Sequence, residues 1–484
     1  MSQVTPSIDD YVQELLSVRF EATGSDAFAL WRRELGTALE AWNLPQAKRL
    51  LSELARHELG ELGRAYFRLG RGGLLAKTAD WRQAEQNLYQ AEQMLKQCSD
   101  PIGRTWALMT LGNLFSDQGR QAEASVVYGQ AAEVYREGED AYGEAQALLN
   151  IGVEHYTTGR WSEATAAFQR SLDIFLEAGD VHSAAMCLSG LGHILFVLGD
   201  YEEALECYET SLEVFAEAGS VHAQAATLCN LGCVLDSLGE YERAVDCFLR
   251  SLTLAAEQSD MRSQAIALDN LGVALQGQGE HEAAINVHRE ALAIYQNLGD
   301  RHGASASLNH LGMAQRQLAR FGGAESNLAL AAALKTEIGD QHGLASVLVN
   351  MALLHAHQAC WKEVRLLAIR AMQTAQEAHN DESLANAHAL LGLVAIREAR
   401  DSVASAEHYA RAVVTAWEFH PAAGRRINRH VLGELTRLRA GQEAPAVVVI
   451  CRRIVEAGQA ELDHQHSNAL HDFAILLDDV VDQS

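Results

Sequence analysis

The sequence predicts an all-α fold, a right-handed α-α superhelix of about ten helix pairs with a helical C-terminal cap. Three observations lead there. A period of 40 residues runs without insertion from Gly112 to Gly312. Within each period the apolar residues keep helical spacing, as in Leu188, Leu191 and Leu195, then Ala204, Tyr208 and Leu212. The composition has 5 Pro and only 6% aromatic residues beside abundant Ala, Leu, Glu and Gln, whose side chains lose little rotamer freedom in a helix. An all-β sandwich or barrel is excluded on that balance.

Residues 1–60 read as irregular helices with a degenerate first repeat, in which a helix from Phe28 to Trp42 precedes Leu44, Leu50, Leu51 and Leu54. The regular array covers residues 61–419. Its marker is Leu-Gly or Ile-Gly at Gly112, Gly152, Gly192, Gly232, Gly272, Gly312 and Gly392, weakened to Met351-Ala352 once. Each marker glycine lies inside the first helix, A, of its repeat. Glycine there costs about 1 kcal/mol against Ala, so it is expected to admit the second helix, B, with Ala204 and Ser211 supplying a flat facing surface. Seven residues on, Gly119, Gly159, Gly199, Gly239 and Gly279, later Ala319, Ala359 and Ala399, are placed to stop helix A in the left-handed conformation. Gly-Asp pairs such as Gly179-Asp180 and Gly299-Asp300 stop helix B and cap the next helix A. Replacements at Ala319, Ala352, Ala359 and Val364 mark residues 312–364 as the weakest stretch. The phase breaks at His420-Pro421, and residues 420–484 read as the cap, with helices over 425–439 and 446–460 and a last one ending near Leu477.

The pattern Leu188, Leu191, Gly192, Ala204, Tyr208 and, imperfectly, Ser211 resembles the tetratricopeptide repeat (TPR). The 40-residue length and the triads Asn230-Leu231-Gly232 and Asn270-Leu271-Gly272 are similar to the long-repeat Leu-Gly-Asn (Pins) scaffold proteins. That resemblance implies a solenoid whose A helices line a concave groove for a peptide of a partner protein.

Composition narrows the function. With 38 Lys and Arg against 64 Asp and Glu the chain carries −26, which repels a phosphate backbone, so nucleic acid is excluded as the main partner. The expectation is no membrane span, no signal peptide and a cytoplasmic location, because no apolar run reaches the roughly 18–20 residues needed and the start MSQVTPSIDD lacks a basic and apolar leader. Eight scattered cysteines point to reduced, packed thiols. No cofactor is expected. The nearest phosphate-loop candidate, Gly70, Gly72 and Gly73, falls in repeat phase. Cys229 and Cys233 with His193 lack a fourth tetrahedral ligand, and His355 with His357, and His464, His466 and His471, are similar short clusters, so no metal is expected. His182, His222, His302 and His342 recur at one phase after the Gly-Asp boundary and read as cover for the next helix start. Nothing converges as nucleophile, base and orienting group, and the chain reads as non-enzymatic.

The working surface is then the A-helix face. Two residues before each marker glycine stand Thr110, Asn150, Gly190, Asn230, Asn270, His310, Asn350 and Leu390. Carboxamides both donate and accept, which suits the backbone of an extended peptide. The resemblance implies that use for Asn150, Asn230, Asn270 and Asn350. Asp236 and Asp269 make the middle acidic, whereas His310, Arg316, His357 and Arg397 make later repeats neutral to basic. The expected partner is a protein or peptide with a basic segment. The competing reading is a regulatory or sensor subunit whose terminal regions contact an effector.

Overall fold

The computed structural model describes residues 33–39, 43–54, 60–399, 401–419, 427, 428, 431–433, 435 and 444–461. Among these every regular element is a helix, about 21 in all, packed pairwise as a solenoid. The expected helix from Phe28 is visible only as helical residues 33–39, and the final helix near Leu477 lies outside the described residues.

The chain divides between Ile194 and Leu195 into two compact units. The first holds α1 (Leu44–Leu54), α2 (Glu61–Lys77), α3 (Trp81–Gln97), α4 (Pro101–Asp117), α5 (Gln121–Glu137), α6 (Ala141–Thr157), α7 (Trp161–Ala178) and most of α8 (Val181–Leu198). The second continues with α9 (Tyr201–Glu217), α10 (Val221–Leu238), α11 (Tyr241–Glu257), α12 (Met261–Gly277), α13 (His281–Leu298), α14 (Arg301–Gln317), α15 (Phe321–Glu337), α16 (Gln341–His357), α17 (Trp361–Glu377) and α18 (Asp381–Val394). It ends with a π-helical turn at Ala395–Ala399, then α19 (Ser402–Phe419) and α20 (Ala444–Glu461). Even-numbered helices from α2 to α18 are the A helices.

Sequence punctuation sets the ends of these helices. Gly239 closes α10 at φ 81°, a conformation that costs glycine nothing. Ala319 and Ala359 adopt the same conformation at φ 55° and 56° despite their Cβ. Ala399 does not: it ends the π-helical turn instead. The Gly-Asp caps form as expected, Asp300 accepting from the Gly303 N–H at 2.9 Å and Asp340 from the Gly343 N–H at 2.7 Å.

At Gly112, Gly152 and Gly232 the marker glycine makes room for a ring, and at Gly312 for Leu328, rather than facing a flat surface. A Cβ on Gly112 would lie 2.4 Å from Tyr128, on Gly152 2.7 Å from Phe168 and on Gly232 2.6 Å from Phe248. Each ring comes from the facing B helix sixteen residues on. Where the marker becomes Ala352, that residue becomes Ala368, and both are fully buried. Ser171 and Ser251, in phase with Ser211, contribute a hydrogen bond instead of flatness, each donating to an A-helix carbonyl at 2.7 Å. Gly72 is a packing glycine inside α2, where a Cβ would lie 2.7 Å from Leu88, and not part of a phosphate loop.

One helix departs from the sequence expectation. Val181–Leu198 has 18 residues and a mean hydropathy of 1.7, enough by length and composition alone to cross a membrane. It nevertheless keeps the repeat phase. Cys187, Leu188 and Leu191 pack with Leu172 and Phe175 in the first unit, and Leu195 and Phe196 pack with Ala204 and Tyr208 in the second. Near the C-terminus α20 begins two residues before the expected Ala446, and Val447, Ile450 and Ile454 join Tyr409 and Val413 of α19 in one buried cluster.

Candidate functional site

The candidate residues of the second unit lie on its A helices α10, α12, α14 and α16, which follow one another as neighbours. Asn230, Asn270, His310 and Asn350 are all half-buried, one per helix. Asn350 donates to the Oδ1 of Asn309 at 2.9 Å, which ties α16 to α14. The Cys229 thiol lies 3.2 Å from the Ser251 hydroxyl, and burial raises its pKa and pushes that of its neighbour Cys233 up to about 12. Asn150, on α6, belongs to the first unit and is half-buried there.

Asp269 corrects the sequence reading. It is buried, not a free acid of the surface. Its Oδ1 lies 2.7 Å from Nδ1 of His288 and 3.8 Å from Nδ1 of His310, and its Oδ2 accepts from the Ser307 hydroxyl at 2.8 Å. Burial alone would raise its pKa, but the two imidazoles more than offset this and hold it down to about 2. His288 has its other nitrogen 3.0 Å from the Gln276 amide, and burial draws its own pKa down. Ligand atoms of Asp269, His288 and His310 lie within 4.8 Å of one another, a donor set within reach of a divalent cation that the sequence reading overlooked. Its overlooked member was visible, since His288 stands at the phase of the rings Tyr128, Phe168, Tyr208 and Phe248.

Asp236 and Arg316 are placed differently. Asp236 is half-buried, its Oδ1 enclosed without a hydrogen-bond partner, and burial raises its pKa. Arg316 is 9% exposed with an enclosed, unpartnered Nε. The recurring histidines do reach the next helix start: His222 lies 3.6 Å from Asp260 and His302 3.5 Å from Asp340. In the first unit, a cavity of about 1150 Å³ is lined by Trp106, Met109, Thr110, Asn113 and Tyr135 among others.

Residues 107–177, 183–257 and 263–337 match the tetratricopeptide repeat family. These residues form tetratricopeptide repeats (TPRs). Residues 328–399 also match the family of anaphase-promoting complex subunit 5. Among solved structures, the TPR array is similar to a Rap protein complexed with competence and sporulation factor, with a TM-score of 0.54 and 16% identity over 72% of this chain and 98% of that one. It is also similar to the apo form of the quorum sensor NprR from B. thuringiensis, with a TM-score of 0.55 and 18% identity over 76% and 99% of the two chains. A STAND protein with a tetratricopeptide repeat sensor from Pyrococcus horikoshii gives 0.50 and 12% over 70% and 54%. At these identities the likeness is one of fold. No curated protein matches the sequence.

Proposed function

We propose that the A-helix face of the second unit binds an extended peptide segment of a partner protein, and that the chain is a cytoplasmic scaffold or adaptor rather than an enzyme. The observation that carries this is the row of half-buried polar side chains Asn230, Asn270, His310 and Asn350, one per successive A helix, beside the enclosed unpartnered atoms of Asp236 and Arg316. A packed core satisfies such groups; a surface awaiting a ligand leaves them open. The long-repeat Leu-Gly-Asn layout supports the same use of the carboxamides. That a Rap protein of similar fold is found complexed with competence and sporulation factor supports a binding role.

The test is selection of displayed random 12-residue peptides on the full chain, followed by affinity measurement for Asn230→Ala with Asn270→Ala. Each lost hydrogen bond is worth about 0.5–1.5 kcal/mol, so the double variant should bind the selected peptides about tenfold more weakly and keep its helical circular dichroism. Equal affinity would reject the A-helix face. If residues 1–60 or 420–484 were needed for capture and the two asparagines were not, the sensor-subunit reading would replace it.

A further inference from the structure

Arg316 and Asp236 stand at one phase of the repeat, each four residues past its marker glycine, on α14 and α10. Both lack the partner that burial calls for. No carboxylate oxygen of the described residues lies within 4.0 Å of the Arg316 guanidinium. Its Nη1 is 3.5 Å from Nε2 of His357, and burial lowers the pKa of both groups. Two other deeply buried charges among the described residues are compensated. Lys335 has Asp340 at 2.7 Å, and Glu144 has Arg136 and Arg170 at 2.8 Å each. Enclosing a charge without a counter-ion is costly, and a guanidinium offers two parallel N–H bonds matched to a carboxylate. His357 itself is exposed.

The column between the two charges is neutral. Gln276 occupies the same phase on α12 and is already held by His288. Packed helix axes stand about 8–10 Å apart, so two steps from α10 to α14 span about 16–20 Å. An extended chain rising about 3.3 Å per residue covers that in about five or six residues.

We propose that Arg316 and Asp236 read opposite charges on one extended peptide, Arg316 taking a carboxylate and Asp236 a cationic group about five or six residues away. This rests on the peptide-binding reading above and adds the chemistry of the ligand. The carboxylate is either an acidic side chain or the peptide's own C-terminus, and the cation a Lys or Arg side chain or a free amino terminus.

The same displayed peptides supply the probes. Selected sequences should carry a basic and an acidic group at that separation. For synthetic copies, replacing the acidic residue by its amide and amidating the C-terminus are separate arms, and the one that costs tenfold or more in affinity names the carboxylate. Arg316→Met should lose that discrimination, and Arg316→Glu should prefer the copy whose acidic residue is Lys. Without peptide, Arg316→Met should melt higher than the wild type, since it removes an uncompensated buried charge. A merely structural arginine would melt lower on the same change. Selected peptides that bind Arg316→Met undiminished would overturn this inference while leaving the asparagine row intact. Failure to select any peptide, or undiminished binding to the double asparagine variant, would reject the peptide-binding reading and this inference with it.

Discussion

At the scale of single residues, Asp269 makes the sharpest claim because its charge is buried yet retained. Its folded pKa of about 2 lies below the ordinary 3.8. A depressed carboxyl stabilises the fold above its unfolded pKa, and this contribution is lost as the pH falls through the folded value. The shift corresponds to about 2 kcal/mol. Asp269→Asn should therefore be destabilised by about that much at pH 7, and the gap to the wild type should close between about pH 4 and pH 2. Melting curves of both proteins across that range check it, and a gap independent of pH would mean that shape rather than charge matters at this site. The phase of Asp269 on helix A was legible in the sequence. Its burial was not, because Ser307 approaches from the next repeat and His288 from a B helix at a position elsewhere filled by a ring. Charge type alone cannot separate such an acid from Asp236, whose Oδ1 is left without a partner.

At the scale of helices, punctuation was legible almost throughout because it is local. The φ of a stop residue and the cap three positions before a free N–H are fixed by the residues themselves. What was not legible was the partner of each marker glycine, since the side chain that fills it comes from the other helix. Gly232 with Phe248 and Ala352 with Ala368 are two solutions of one volume constraint. The stops at Ala319 and Ala359 hold a Cβ in the left-handed region, which costs about 1 kcal/mol or more per residue. Ala319→Gly and Ala359→Gly should each raise stability by about 0.5–1 kcal/mol, less than the full strain because glycine loses more entropy on folding. Denaturant midpoints would show it, and the contrary sign would mean that unfolded-chain entropy outweighs the relieved strain.

At the scale of the molecule, a repeat array draws its stability from each unit and its nearest neighbours, so protection is set locally rather than by one shared core. The 40-residue phase passes through Ile194 and Leu195 unchanged, which is why the division into two units there left no mark in the sequence. Within the second unit, three observations converge on residues 312–364. Helix α15 opens with Gly322 and Gly323 in its first turn, each costing about 1 kcal/mol against Ala. Its junction with α16 is more sparsely packed than the junctions on either side. Both stop residues of the stretch, Ala319 and Ala359, are strained. Hydrogen exchange followed by mass spectrometry should therefore find amides of α15 and the start of α16 exchanging about tenfold or more faster than those of α11 and α12, a difference of about 1.4 kcal/mol in local opening. Gly322→Ala should slow exchange across α15 and leave α11 unchanged, because a Cβ at that position meets open space. Uniform protection from α9 to α18 would instead require a cooperative unit larger than nearest neighbours, with the strain at Ala319 and Ala359 shared over the whole of it.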